Sequence, residues 1–174
     1  MGDNMDFRLA KIDDLPQLKL VYRDIIHNMN KENIQIWDEI YPCEFFSDDI
    51  ANNCLYILVE DKEIVSAFAL CDSNSGAEHV KWKKEQQKAL YIDRFGVNVN
   101  YLKKGIGSIM LQKARAVARE QGVEYLRLFV VDINKPAINL YIKNGFQKAD
   151  GIYDEIIDDD LILHELGFEI ETSM

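Results

Sequence analysis

Residues 101–110 read Tyr101-Leu102-Lys103-Lys104-Gly105-Ile106-Gly107-Ser108-Ile109-Met110, and their reading decides the fold. A strand candidate, Ala89 to Val99, runs into them. A long amphipathic helix leaves them, with Ile106, Met110, Ala114, Val117 and Ala118 as its buried stripe, Lys113, Arg115 and Arg119 on its wet side, and Gly122 as its stop. Glycines at a helix start let main-chain N–H groups close in on an anion, and the helix dipole adds positive potential there. Lys103 and Lys104 reinforce that field. A pyrophosphate fits such a place, and so does a purely steric strand-to-helix turn; the loop alone leaves both open. Other nucleotide motifs fit worse, because the stretch lacks the third glycine of the dinucleotide fingerprint and no Gly-Lys-Ser/Thr follows for a P-loop.

Working outward toward the N-terminus, Phe7 to Ala10 reads as a short strand. Asp13 or Asp14 then caps a helix whose apolar residues Leu15, Leu18, Tyr22, Ile25 and Met29 recur at three- and four-residue spacing. A looser stretch from Asn30 to Pro42 carries Trp37 and Tyr41, and Ser47 or Asp48 caps a short helix ending near Asn53. Leu55 to Glu60 and Glu63 to Leu70 form a hairpin about Asp61-Lys62. Residues 72–88 are a polar excursion that includes Trp82. Toward the C-terminus, Leu126 to Val131 is apolar apart from Arg127, the pattern of a strand buried on both faces. A short helix spans about Lys135 to Lys143. Phe146 to Ile152 and Leu161 to Glu171 are the last strands, and alternation in the latter turns Glu165, Glu169 and Glu171 to water.

The 174 residues suit one domain, 1–174, since domains run to about 100–200 residues. Hydrophobic residues are 48% and charged residues 29%, as in globular chains. No apolar run approaches the roughly 20 residues of a membrane span, and the start lacks a signal region, so a cytoplasmic protein is expected. The three cysteines lack CxxC spacing and fit a reducing interior. Residues 149–174 hold nine acidic residues and no Lys or Arg, while the rest is nearly neutral. That balance argues against nucleic acid and against anionic membranes as partners, because both reward positive charge. His27, His79 and His164 lack zinc-ligand spacing, and Asp158-Asp159-Asp160 lacks the calcium-loop pattern, so no metal is expected.

The glycine loop is followed by Asn134-Lys135-Pro136-Ala137-Ile138-Asn139-Leu140-Tyr141-Ile142-Lys143-Asn144-Gly145-Phe146. Together with Val97, these stretches resemble the GNAT superfamily of N-acetyltransferases, most strongly over residues 89–146. The resemblance implies an α/β fold: a mixed, mostly antiparallel twisted sheet of about six or seven strands flanked by helices, split between the strand near 89–98 and the strand near 126–131 to take acetyl-coenzyme A as co-substrate. It implies that main-chain groups of Phe95, Gly96 and Val97 pair with pantetheine, with a bulge aiming an N–H at the thioester oxygen. It implies further that Lys103, Lys104, Gly105, Ile106, Gly107 and Ser108 hold the pyrophosphate, that Asn134 bonds the pantetheine arm, that Ala137 leaves room for it, and that Tyr141 protonates the departing thiolate. Leu102 departs from the family, which usually has Gln or Arg there.

The family's two usual positions for an acid fall on Tyr91 and Phe129, neither of which is a carboxylate. Asp93 shares a strand face with Tyr91 and is the preferred base. Trp37 and Tyr41 stand where the resemblance places the acceptor side, with ordinary packing as the competing reading. The function expected is transfer of an acetyl group to a primary amine, small-molecule or peptide, by direct attack in a ternary complex, and the acidic C-terminal stretch favours a small cationic acceptor. The alternative is a non-catalytic acyl-coenzyme A binding or sensor module. A homodimer through the last strands is compatible with either.

Overall fold

The computed structural model describes residues 5–173. Among the described residues eight strands form one mixed, mostly antiparallel sheet: β1 (Met5–Leu9), β2 (Leu55–Glu60), β3 (Glu63–Cys71), β4 (Ala89–Val97), β5 (Tyr125–Val131), β6 (Gln147–Lys148), β7 (Tyr153–Asp158) and β8 (Leu161–Glu171). The order is β1-β2-β3-β4-β5-β8-β6, with β7 also on β8. Among the described residues the α-helices are α1 (Leu15–Lys31), α2 (Phe46–Ala51), α3 (Ile106–Glu120) and α4 (Lys135–Lys143). This is the fold class the sequence implies. The chain divides into two compact units, one holding the residues up to Leu70 with Arg94–Met110, the other Cys71–Asp93 with the chain from Leu111 onward.

In the first unit β1, β2 and β3 pair antiparallel. Asp61 and Lys62 both take left-handed backbone, φ 49° and 70°, which gives the hairpin the twist its strands need. Helix α1 buries Leu18, Val21, Tyr22 and Ile25, the helical spacing read from sequence with Val21 added. Its start corrects the capping expectation. A 3-10 turn at Ile12–Asp14 comes first, and the Asp14 carboxylate turns back to accept the Lys11 N–H (2.7 Å) and the Arg8 guanidinium (2.8 and 3.1 Å). Helix α2 likewise starts earlier than expected, at Phe46, so Ser47 and Asp48 lie inside it. Burial decides this: Phe46 is fully enclosed and meets Tyr22 edge-on at 4.7 Å.

In the second unit β4 pairs parallel with β5 from Ala89/Tyr125 to Ile92/Leu128, and β5 pairs antiparallel with β8 along its whole length. Two expectations are corrected here. The strand expected over Phe146 to Ile152 shrinks to Gln147–Lys148, and Tyr153–Asp158 forms a hairpin with β8 instead. Gly151 breaks the strand: its φ is 96°, a Cβ would sit 3.3 Å from the His79 carbonyl, and Asp150 bridges to Lys81.

The face of β8 expected to meet water is covered in part by the 72–88 excursion. Trp82 is buried, donates its indole N–H to the Ala77 carbonyl (3.0 Å) and packs on Phe129 and Tyr91. Beneath it Glu169 is enclosed, bound by Arg127 (3.2 Å) and by the Lys83 N–H (2.8 Å). Arg127 in turn donates to the Lys84 carbonyl (2.9 Å) and lies under the Trp82 ring at 4.6 Å. Removing one partner of a buried pair strands the other charge, a loss of about 3–5 kcal/mol. Arg127→Ala should therefore lower Tm by roughly 10 °C in a circular-dichroism melt; a loss of only a degree or two would show that the pair is not structural.

Candidate functional site

The first unit contributes a strand edge and a loop. The Tyr22 hydroxyl donates to the Arg94 carbonyl (2.5 Å), and the Ser66 hydroxyl donates to the Gly96 carbonyl (2.6 Å). Asn98 continues on the same side, its N–H to the Val65 carbonyl (2.8 Å) and its amide to the Ile64 carbonyl (2.9 Å). A trans peptide points its N–H opposite to its C=O. The N–H groups of Phe95 and Val97 are therefore directed to the other edge of β4. Gly96 permits the close packing, since a Cβ there would meet the Ile25 methyl at 2.9 Å and the Tyr22 ring at 3.0 Å.

After β4, Leu102 is extended and 45% exposed. Lys103 and Gly105 are left-handed, φ 62° and 77°, and the fifteen-residue α3 begins at Ile106. Alternating handedness in successive residues gathers N–H groups into an anion-binding concavity. Lys103, Lys104 and Gly105 are exposed, and a Cβ on Gly105 would meet nothing within 4 Å, so the loop has open space over it. Lys104 is held over the Tyr101 ring at 5.2 Å. Tyr101 itself donates to Glu63 (2.7 Å), and that bond, with burial adding to it, pushes its phenol up to about 12. The loop fits a pyrophosphate: donors, cations and a helix N-terminus converge with room to spare.

Trp37 and Tyr41 are half-buried in this unit, Trp37 against Tyr22 (5.7 Å) and Tyr41 against Phe45 (5.3 Å). A cavity of about 410 Å³ lies between α1 and the following loop, lined in part by Lys19, Arg23, Asp38, Ile40, Cys43 and Glu44. Burial pushes the Cys43 thiol up, the reverse of what an activated nucleophile needs.

The second unit holds the motif run. Asn134 caps α4, its Oδ1 accepting the Ala137 N–H (3.3 Å), which leaves its Nδ2 as the group able to donate to a ligand carbonyl. Ala137 is half-buried. Tyr141 is buried between Phe146 (5.9 Å) and Phe168 (6.2 Å), and burial pushes its phenol far up, so it keeps its proton at neutral pH.

The same unit gathers carboxylates about Asp93, the expected base, and of these the sequence reading missed Glu155 and Glu165 as site residues. The β7–β8 register puts Tyr153 opposite Glu165, with Glu155 two residues along on the same face. Asp93 accepts the Asn74 amide (3.2 Å). Phe129, which packs against Tyr153 (6.0 Å), adds an aromatic wall. Burial raises Glu165 to about 9, helped by a hydrogen bond to Glu155 and by the nearby Asp93 charge. Its Oε2 is shielded from solvent and has no hydrogen-bond partner. Only the length of the 72–88 excursion hinted that this face is covered. Among the described residues no group of three or more His, Cys, Asp or Glu is arranged to hold a metal ion, and no helix is long and apolar enough to cross a membrane.

Comparison with known proteins identifies the family. The profile of the Acetyltransferase (GNAT) family matches residues 22–146, and the chain belongs to that family. It is similar to YwnH of Bacillus subtilis, 27% identical over 146 residues, 82% of this chain and 83% of that one. It is similar also to the thialysine N-epsilon-acetyltransferase of Bos taurus, 27% identical over 145 residues, 80% and 82% of the two chains. Among solved structures, a GNAT-family acetyltransferase from Streptococcus agalactiae superposes with a TM-score of 0.79 at 18% identity, over 97% of this chain and 96% of the other.

The carboxylate set has a thermodynamic signature. A carboxyl raised in the folded state binds its proton there and not in the unfolded chain, so the stability it contributes is fully present below the ordinary carboxyl range. That stability declines as pH rises and is lost above about 9. Glu165→Gln should therefore melt like the parent at pH 4 and progressively higher than it between pH 5 and 9, measured by Tm; parallel pH profiles would refute the buried-proton assignment.

Proposed function

We propose that this chain transfers an acetyl group from acetyl-coenzyme A to a primary amine by direct attack in a ternary complex. The observation that carries the reading is the strand, left-handed loop and helix start over Phe95–Ser108, in a chain of the acetyltransferase family. Main-chain N–H groups of the loop and the cations of Lys103 and Lys104 hold the pyrophosphate. The edge of β4 at Phe95, Gly96 and Val97 pairs with pantetheine. Asn134 donates to the same arm, and Ala137 leaves room for it.

Residues of the second unit carry the proton chemistry. An ammonium near pKa 10 must lose a proton before its nitrogen attacks. Asp93 takes that proton. Glu155 and Glu165 stabilise the acceptor's positive charge: Glu165 holds a proton at neutral pH that an arriving cation displaces as counter-charge. The neutral amine then attacks the thioester carbonyl, the carbon–sulfur bond breaks, and Tyr141 donates its O–H to the departing sulfur. Burial makes Tyr141 a weak acid, so its chief contribution is the hydrogen bond to charge as it develops. No acyl-cysteine is needed, in keeping with the raised Cys43 thiol. The acceptor this favours is a small cationic amine. The bovine relative acts, by its name, on the ε-nitrogen of thialysine, an acceptor of that chemistry. The reduced thiols of Cys43, Cys54 and Cys71 suit a cytoplasmic setting.

Thiol release from acetyl-coenzyme A with pooled amines tests the reaction. Polyamines and diamines should support release, aided by Tyr141; Tyr141→Phe should lower kcat at least about tenfold with cofactor affinity nearly unchanged. Cofactor binding with no release on any pool would favour the sensor module. Gly107→Asp places a carboxylate at the start of α3 and should abolish coenzyme A binding in calorimetry; retained binding would put the phosphates elsewhere.

A further inference from the structure

Arg94 is the one described residue within a strand whose backbone is left-handed, at φ 55°. An L-residue other than Gly, Asn or Asp seldom sits there, and β-strand neighbours make the departure sharper. Three contacts hold it in place. Its guanidinium forms two hydrogen bonds with Asp49, Nε to Oδ2 and Nη2 to Oδ1, both 2.8 Å, with the two side chains only 10% and 8% exposed. The Phe45 ring lies 5.1 Å from the guanidinium carbon. The Tyr22 hydroxyl, wholly enclosed, takes the Arg94 carbonyl at 2.5 Å.

The last contact has a directional consequence. The peptide joining Arg94 to Phe95 is planar, so fixing its carbonyl on Tyr22 fixes the Phe95 N–H in the opposite direction. Rotation of that plane requires a change of ψ at Arg94, which the Asp49 bridge resists because the side chain is anchored at both ends. A paired, enclosed guanidinium is an expensive way to hold a strand that glycine could hold at no steric cost. What arginine adds is rigidity, and rigidity matters where a donor must be aimed at charge that appears only during reaction.

We propose that Arg94, latched by Asp49 and by Tyr22, is a positioning residue that aims the Phe95 N–H at the thioester oxygen. This rests on the acetyltransferase reading above. The latch acts through the direction of one main-chain N–H, so its loss should leave cofactor affinity largely intact while weakening stabilisation of the oxyanion.

The test uses [1-13C]acetyl-coenzyme A bound to the whole protein, with two variants. Arg94→Gly keeps access to left-handed backbone and removes the latch. Tyr22→Phe keeps the core volume, strands no charge, and releases the carbonyl. In the parent the bound carbonyl carbon should move downfield of free acetyl-coenzyme A, as a hydrogen-bonded carbonyl does. Both variants should bind the cofactor within about threefold of the parent, lose most of that shift and show kcat lowered about tenfold or more. A residue that merely stabilised the fold would lower Tm and leave shift and kcat alone. An unchanged shift and kcat in either folded variant overturns the proposal, and Tyr22→Phe decides the matter if Arg94→Gly does not fold. Failure of the parent to bind acetyl-coenzyme A in calorimetry would instead refute the acetyltransferase reading, and this inference with it.

Discussion

A strand hydrogen-bonded along both edges has no main-chain group left for any other partner. Strand β4 meets that constraint by changing its pairing part-way. Its parallel ladder with β5 ends at Ile92 and Leu128, while β4 itself runs on to Val97. Just past the end of the ladder the Asp93 carboxylate is held by Asn74, Arg94 turns left-handed, and the carbonyls of Arg94 and Gly96 are taken by the hydroxyls of Tyr22 and Ser66. Side-chain hydroxyls thus satisfy the acceptors on one edge, and the N–H groups of Phe95 and Val97 are left for the other. The proposed pantetheine pairing depends on this arrangement more than on any single functional side chain.

Strand β8 shows how the same residue type takes opposite roles according to its neighbours. Glu169 and Glu165 lie on one face, four residues apart. Glu169 is met by a guanidinium and a main-chain N–H, a complete set of partners for an enclosed carboxylate, and its role is to hold Trp82 and the excursion in place. Glu165 is met by two further acids, Glu155 and Asp93, and keeps a proton to avoid repulsion. A protein gains no stability from gathering three carboxylates around a shielded oxygen. Such an arrangement marks a candidate functional site, and in the proposed reaction a cationic acceptor supplies the missing counter-charge.

What could be read from sequence was local. The loop at Lys103–Ser108, the helix over Lys135–Lys143 and the Asp61-Lys62 hairpin each depend on residues within a few positions of one another, and each stands where it was expected. What could not be read was set by contacts distant in the chain. Alternation alone sends Glu165 and Glu169 to water, and only the return of residues 72–88 over β5 and β8 reverses that. The same excursion, through Lys81 and Asp150, ends the strand after Lys148. Asp49 and Arg94 are 45 positions apart, so the latch had no sequence signal. The capping errors at Asp14 and Ser47 have a related cause: Arg8 and the burial of Phe46 outcompeted the local preference of those side chains.

Proton accounting ties the two proposed roles of the second unit together. An ammonium acceptor sheds one proton to become a nucleophile and a second once its nitrogen is acylated, while the departing thiolate takes up only one. One proton must therefore leave for solvent in each turnover. Tyr141, enclosed and strongly disposed to keep its proton, is suited to delivering one to sulfur only if it is promptly recharged, and the second proton released by nitrogen is the one available. In the proposed reaction the first goes out through Asp93, a half-buried carboxylate in a neighbourhood of other acids that favours the passage of positive charge. On this account the acidic face both attracts the acceptor and discharges its proton, and a single carboxylate base buried without those neighbours would do only the first step of that work.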